Sequence, residues 1–208
     1  GEIGAGAIAM TPPAYFKPAC VADLVECLRE VSREAPGVPL YYYHLPAFTG
    51  VRLDMVELLR EAGDAIPDFA GIKFSEVDAR TFAACVAVEG GRYDILWGSD
   101  ETLLTGLAAG ATAAIGSTYC FAAPLYRKVM AAHEQGEPAA ARRWQEQAAD
   151  MVAVHLRRGG LPALKATMQL IGAGCGPTRL PLRALDPVAV EGLRADLAEK
   201  GFFDWGRR

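Results

Sequence analysis

A single lysine closing an apolar run sets the chemical question for this sequence. In Gly71-Ile72-Lys73-Phe74-Ser75, small and apolar residues lead to one amine, and an acidic stretch, Glu76-Val77-Asp78, follows. Lysine is almost never fully buried unless it is paired or used. Desolvation favours the neutral amine, which adds to carbonyl carbons, so Lys73 is a candidate for Schiff-base formation. The bland alternative is a surface lysine at a strand end. Tyr43 is the companion candidate: it falls on the preceding strand, and a phenol beside an amine-derived imine can shuttle protons to a substrate hydroxyl or carboxylate. Thr11, Tyr15, His44, Ser75, Asp100, Glu101, Ser117 and Thr118 also stand at or just after expected strand ends. Several have ordinary explanations. Tyr41 and Tyr42 suit packing, Ser75 and Asp100-Glu101 suit helix capping and first-turn charge, His44 suits a satisfied core position, and Cys120 has no base placed beside it by sequence.

The elements that would position these groups alternate in type. Gly1 to Gly6 leads into Ala7-Ile8-Ala9-Met10, which reads as a buried strand stopped by Thr11-Pro12-Pro13. A helix follows over about Ala19 to Glu34, with Val21, Leu24, Val25, Leu28 and Val31 on one face, ended by Pro36-Gly37. Val38 to Pro46 is aromatic and strand-like, and a helix starts near Asp54, where Asp54 and Glu57 have capping-box spacing and Gly63 closes the run. Phe69 to Phe74 is the strand carrying Lys73. Asp78 to Glu89 is helical, Tyr93 to Trp97 a strand, Thr102 to Ala109 a short helix, and Ala111 to Gly116 a small-residue strand. Beyond it lie helices over about Ala122 to Gln135, Pro138 to Arg158, Leu164 to Ile171 and Pro187 to Lys200, the last with Asp186 as N-cap and proline at its first position.

Alternation of this kind predicts an α/β protein with a parallel sheet and right-handed crossovers. A doubly wound sheet and a (β/α)8 TIM barrel both fit, and no G-x-G-x-x-G follows any strand. A complete barrel has eight strands in about 250 residues. If this is a barrel, the five strands expected here leave out its first three βα units, with residues 1–120 forming the partial barrel and 121–208 its last helix and C-terminal helices.

Composition bounds the reading further. Of 208 residues, 51% are hydrophobic and 22% charged, which is the profile of a globular chain with a substantial core. The net charge of −4 argues against a nucleic-acid footprint or a polybasic membrane patch. No apolar run reaches the roughly 18 residues of a membrane span, and no signal peptide is visible. The five cysteines show no C-x-x-C pair, so neither a disulfide framework nor a zinc site is expected; free thiols in a reducing cytoplasm are.

Four linked segments carry a family resemblance. Tyr41-Tyr42-Tyr43-His44-Leu45-Pro46-Ala47-Phe48-Thr49-Gly50-Val51, Gly71-Ile72-Lys73-Phe74-Ser75, Gly98-Ser99-Asp100-Glu101 and Gly116-Ser117-Thr118-Tyr119 resemble the animal-type N-acetylneuraminate lyases, within the dihydrodipicolinate synthase and N-acetylneuraminate lyase superfamily. The likeness extends to Arg179-Leu180-Pro181-Leu182 and implies a (β/α)8 barrel, usually a homotetramer. It implies a class I aldolase that cleaves N-acetylneuraminate to N-acetylmannosamine and pyruvate. Lys73 would hold pyruvate as the imine, Tyr43 would act on the substrate hydroxyl proton, and Ser75, Gly98, Asp100, Glu101 and Ser117 would contact the sugar chain. The imine is the electron sink, so no metal or organic cofactor is expected. Neighbouring readings are a keto-deoxy sugar-acid aldolase, a dihydrodipicolinate synthase-like enzyme, or a truncated non-catalytic remnant. Against the synthase, Phe48 stands where that branch has a carboxylate-binding arginine. Two departures stand out: the Gly-(Ser/Thr)-Thr-Gly-Glu segment that binds the substrate carboxylate is absent, and Cys120 replaces a frequent asparagine.

Overall fold

The computed structural model describes residues 4–207, so the Gly1-to-Ile3 part of the glycine-rich lead lies outside the described residues. Two compact units emerge, Gly1–Ser99 with Thr105–Ile115 and Asp100–Leu104 with Gly116–Arg208.

The first unit is built on a parallel four-stranded sheet in the order β1 (Ile8–Met10), β2 (Leu40–His44), β3 (Phe69–Phe74), β4 (Asp94–Trp97). Helices α1 (Val21–Arg33), α2 (Pro46–Thr49), α3 (Met55–Ala65) and α4 (Ala79–Val86) connect the strands. The stripe Val21, Leu24, Val25 and Leu28 is buried, as spacing of three and four residues requires of an amphipathic helix. Asp54 and Asp78 each cap a helix start, Asp54 accepting from the Val56 and Glu57 amides and Asp78 from those of Arg80 and Thr81. One continuous core joins these helices to the sheet through Leu24, Leu58, Phe82, Tyr42, Phe74 and Trp97.

Several boundaries differ from the sequence expectation. β1 is half-exposed instead of buried, with Ala9 open to solvent. It pairs with β2 alone, and among the described residues no strand covers its other edge. The strand expected over Ala111 to Gly116 shrinks to one parallel bridge, Trp97 with Ala114. Its ladder consists of Trp97 N donating to Ala113 O at 3.1 Å and Ile115 N to Trp97 O at 3.0 Å. Alanine-rich sequence offers few branched side chains to hold a pleated pairing. α4 stops at Val86 because Glu89 and Gly90-Gly91 take positive φ and turn the chain through a 3-10 segment, Val88–Gly90.

The second unit is helical. A 3-10 turn, Asp100–Thr102, starts it, and the chain between carries α5 (Leu103–Ala108), which is divided between the two units. α6 (Tyr119–Glu134), α7 (Pro138–Arg157), α8 (Leu161–Leu170) and α9 (Pro187–Glu199) then pack around Tyr126, Val129, Met151, Val154, Leu193 and Leu197. α6 begins three residues before the expected Ala122, where helical geometry breaks ahead of Pro124. His155 is enclosed: its Nδ1 lies 2.8 Å from Met151 O and its Nε2 2.9 Å from Thr167 Oγ1. Burial lowers its pKa, so the ring is neutral, donating from Nδ1 and accepting at Nε2. Among the described residues no helix is long and apolar enough to cross a membrane.

Candidate active site

Strand alternation decides what faces where. β2 and β3 pair with Tyr43 opposite Lys73 and His44 opposite Phe74. Successive side chains point to opposite faces, so Tyr41, Tyr43 and Lys73 share one face, while Tyr42, His44, Ile72 and Phe74 share the other. On the first face the Lys73 amine lies over the Tyr43 ring, 3.8 Å from its centroid. Such a contact stabilises an ammonium by about 0.5–1 kcal/mol and leaves the amine half-buried against an aromatic wall. Tyr41, one turn of the pleat earlier, donates to Asp94 Oδ2 at 3.0 Å, and burial followed by that carboxylate raises its pKa.

The strand ends are tied together by backbone. Ser75 N donates to His44 O at 2.9 Å, and Gly98 N donates to Phe74 O at 2.8 Å. Ser75 Oγ reaches Gly98 O at 3.3 Å, and a Cβ on residue 98 would lie 2.0 Å from that Oγ, so only glycine permits the approach. Ser75 and Gly98 are thus brought together, two residue pairs beyond Lys73.

A further clamp was not visible in the sequence. His44 is 2% exposed, and its Nε2 lies 3.1 Å from Glu76 Oε2, while Arg52 donates to Glu76 Oε1 at 2.7 Å. Burial lowers the His44 pKa against the opposing pull of Glu76. Burial alone would raise Glu76, but His44 and Arg52 outweigh it and hold the carboxyl below its ordinary range. His44 is therefore a core histidine that fastens the loop after β3 to the end of β2. Its Nδ1 has no hydrogen-bond partner among the described residues.

Asp100, Glu101 and Ser117 belong to the second unit. Asp100 is 6% exposed, and its Oδ2 accepts from Thr118 N at 2.8 Å and Thr118 Oγ1 at 2.5 Å. Thr118 Oγ1 spends its one proton on that carboxylate, so Tyr126 OH, 2.6 Å away, donates to it. A Cβ on Gly116 would fall 1.4 Å from Asp100 Oδ1, which explains the glycine. The Asp100 carboxylate thus holds the segment at 116–118, while Glu101 and Ser117 are exposed. Cys120 is exposed too, its thiol donating to Ser117 O at 3.2 Å, and its pKa is raised chiefly by burial. Phe48, at 84% exposure, offers no charge to a carboxylate.

Residues 1–200 match the model of the dihydrodipicolinate synthetase family. The chain belongs to that family. It is 40% identical over 185 residues to the N-acetylneuraminate lyase of Rattus norvegicus, covering 88% of this chain and 58% of the relative. It is 37% identical over 207 residues to that of Homo sapiens, covering 98% and 65%. The solved Proteus mirabilis N-acetylneuraminate lyase superposes with a TM-score of 0.89 at 38% identity, over 93% of this chain and 65% of that one. The chain therefore spans about three-fifths of the length of these relatives.

Proposed function

We propose that this protein is a class I aldolase of the N-acetylneuraminate lyase type, with Lys73 as the imine-forming amine. The observation that carries it is the pairing of Lys73 with Tyr43 on neighbouring parallel strands, amine over ring at 3.8 Å. Relatives bearing that lyase name over most of the chain support the substrate.

The chemistry proceeds from these two groups. Lys73 Nζ adds to the ketone carbon of the open-chain sugar acid, and loss of water leaves the imine, which takes up a proton at nitrogen from solvent and returns it when the imine is hydrolysed. The Tyr43 phenol takes the proton of the substrate hydroxyl as it hands its own to the imine-bound carboxylate, so the ring ends neutral. The carbon–carbon bond breaks, N-acetylmannosamine leaves as the aldehyde, and the bonding pair passes into the imine to give an enamine. Return of the carboxyl proton to carbon and addition of water release pyruvate and regenerate the amine.

Ser75, Gly98, Glu101 and Ser117 are assigned to the sugar chain in this reading. Asp100 is assigned there as well, through the segment its carboxylate holds. A (β/α)8 barrel, a homotetramer and cytoplasmic residence belong to the same proposal; parallel order in β1 to β4 and the superposition on a lyase support the barrel.

Borohydride reduction in the presence of pyruvate tests the proposal. The expected product is heavier by about 72 Da, the reduced pyruvyl adduct, mapped to Lys73 and absent from Lys73→Arg. A folded sample that gives no adduct, or one carried by another lysine, overturns it.

A further inference from the structure

The second unit contains a nucleophile pair that the proposed reaction does not use. Lys165, midway along α8, donates from Nζ to Cys175 Sγ at 3.0 Å, and it lines a groove of about 360 Å³ together with Pro162, Gln169, Gly174, Gly176 and Val190. The other described thiols have different surroundings. Cys85 is buried and its pKa is pushed up to about 12 by desolvation. Cys120 keeps its proton on the Ser117 carbonyl. Cys175 is exposed, and its Sγ accepts a hydrogen bond from the Lys165 amine, which puts an accessible sulfur within bonding reach of a nucleophilic nitrogen.

We propose that Lys165 and Cys175 form a covalent sulfur–nitrogen cross-link under hydroperoxide, making this pair an oxidative modification site. In the first step the Cys175 thiol and hydrogen peroxide give the sulfenic acid and water; sulfur loses two electrons and the O–O bond is cleaved. In the second, the neutral Lys165 amine attacks the sulfenic sulfur, and the hydroxyl leaves as water with one of the two N–H protons, while the other stays on the nitrogen of the new S–N bond. Two equivalents of a thiol reductant restore both side chains and become a disulfide. The pairing is local, which keeps the closure cost low. Gly174 and Gly176 flank Cys175 and give that segment the backbone latitude to close on α8. The product would staple α8 to the chain that follows it and remove the one ammonium from this rim of the groove.

Tryptic mapping under non-reducing conditions reads the outcome directly. The reduced protein is cut after Lys165. The peroxide-treated protein should yield the peptide 159–179 uncut at Lys165 and lighter by about 2 Da, and a thiol reductant should restore both the mass and the cleavage. Lys165→Arg keeps the charge but should abolish the cross-link, leaving the Cys175 sulfenic acid to be captured by dimedone. Normal cleavage at Lys165 with Cys175 over-oxidised would overturn the proposal. So would a loss of about 2 Da that survives in Lys165→Arg and vanishes in Cys120→Ser, since that product is a Cys120–Cys175 disulfide.

Discussion

Tyr42 and Tyr43 are neighbours in one strand with opposite fates. Tyr42 is fully buried among Ile72, Phe74 and the helices, and its hydroxyl has no partner among the described residues. Burial raises its pKa well above the ordinary phenol range. Tyr43, one residue on, is half-buried and lies under the Lys73 amine. The pleat sends one to the packing face and the other to the face that carries Lys73. The packing face is an edge-on aromatic stack, Phe74 with Phe82 at 5.7 Å and Phe82 with Trp97 at 5.0 Å, dense enough to fix the strands against each other. The other face carries the Lys73 amine and the Tyr41 and Tyr43 phenols. A rigid layer of rings behind β2 and β3 thus holds an amine and a phenol in register without either having to contribute to the core.

The largest effect expected from dividing the faces this way is at Lys73. Lys73→Arg should eliminate pyruvate trapping and lyase turnover, a loss of about 10⁴-fold or more, because guanidinium forms no imine. Its denaturation midpoint should stay near that of the parent, since the side chain is not part of the core. A large drop in stability would assign Lys73 to packing and dissolve the distinction. Next come the two tyrosines. Tyr43→Phe should lower kcat by about 10²–10⁴-fold while leaving the Lys73 adduct in place, as loss of a proton relay would. Tyr42→Phe removes an unpartnered buried hydroxyl and should leave turnover intact, with stability unchanged or raised by about 1 kcal/mol. Equal kinetic losses in both variants would mean that the alternation does not separate function from packing.

Much of this arrangement was legible from the chain alone, for reasons that can be named. Phe69 to Phe74 reads as a strand because it is short, apolar and bounded, and β3 has those limits. The caps at Asp54 and Asp186 are local chemistry, one side chain reaching an amide two or three residues on. The closeness of Tyr43 and Lys73 follows from consecutive parallel strands. The misses depend on distant partners. The Arg52–Glu76–His44 clamp joins residues 24 and 32 positions apart and has no periodic signature. The inward turn of Asp100 toward Thr118 and Tyr126 requires a loop of 18 residues to close. The bridge at Ala114 fails as a strand because small side chains supply too little cross-strand contact, although the same run looks strand-like between two glycines.

Breaking the packing face itself should cost less than losing the Lys73 amine. Phe82→Ala removes the ring shared by Phe74 and Trp97 and should destabilise the fold by about 3–5 kcal/mol, read as a shift of the urea midpoint. While the variant remains folded, Lys73 should still trap pyruvate. A cost below about 1 kcal/mol would show that this aromatic layer is not what fixes the strands.

The smallest effect is a pH dependence, and it compares the two buried histidines. His44 and His155 both have pKa values lowered by burial, against Glu76 in the first case and the Met151 carbonyl in the second. In the unfolded chain each ring titrates near 6.5. Below that pH the unfolded state takes up protons that the folded state refuses, so stability present above pH 6.5 is lost as pH falls toward each lowered folded value. The maximal slope is about 1.4 kcal/mol per pH unit for each histidine. Glu76, Asp78 and Asp196, whose pKa values are also lowered, act in the same direction but only below the carboxylate range. Urea unfolding between pH 7.5 and 5.5 therefore isolates the rings. His44→Gln retains a donor for Glu76 and cannot titrate, so it should flatten the slope by one histidine's share, and adding His155→Gln should remove the rest. A slope unchanged in the double variant would mean that these rings take up protons as readily in the folded protein as in the unfolded chain, and below pH 6.5 the packing face would then have to hold a cation beside Phe74.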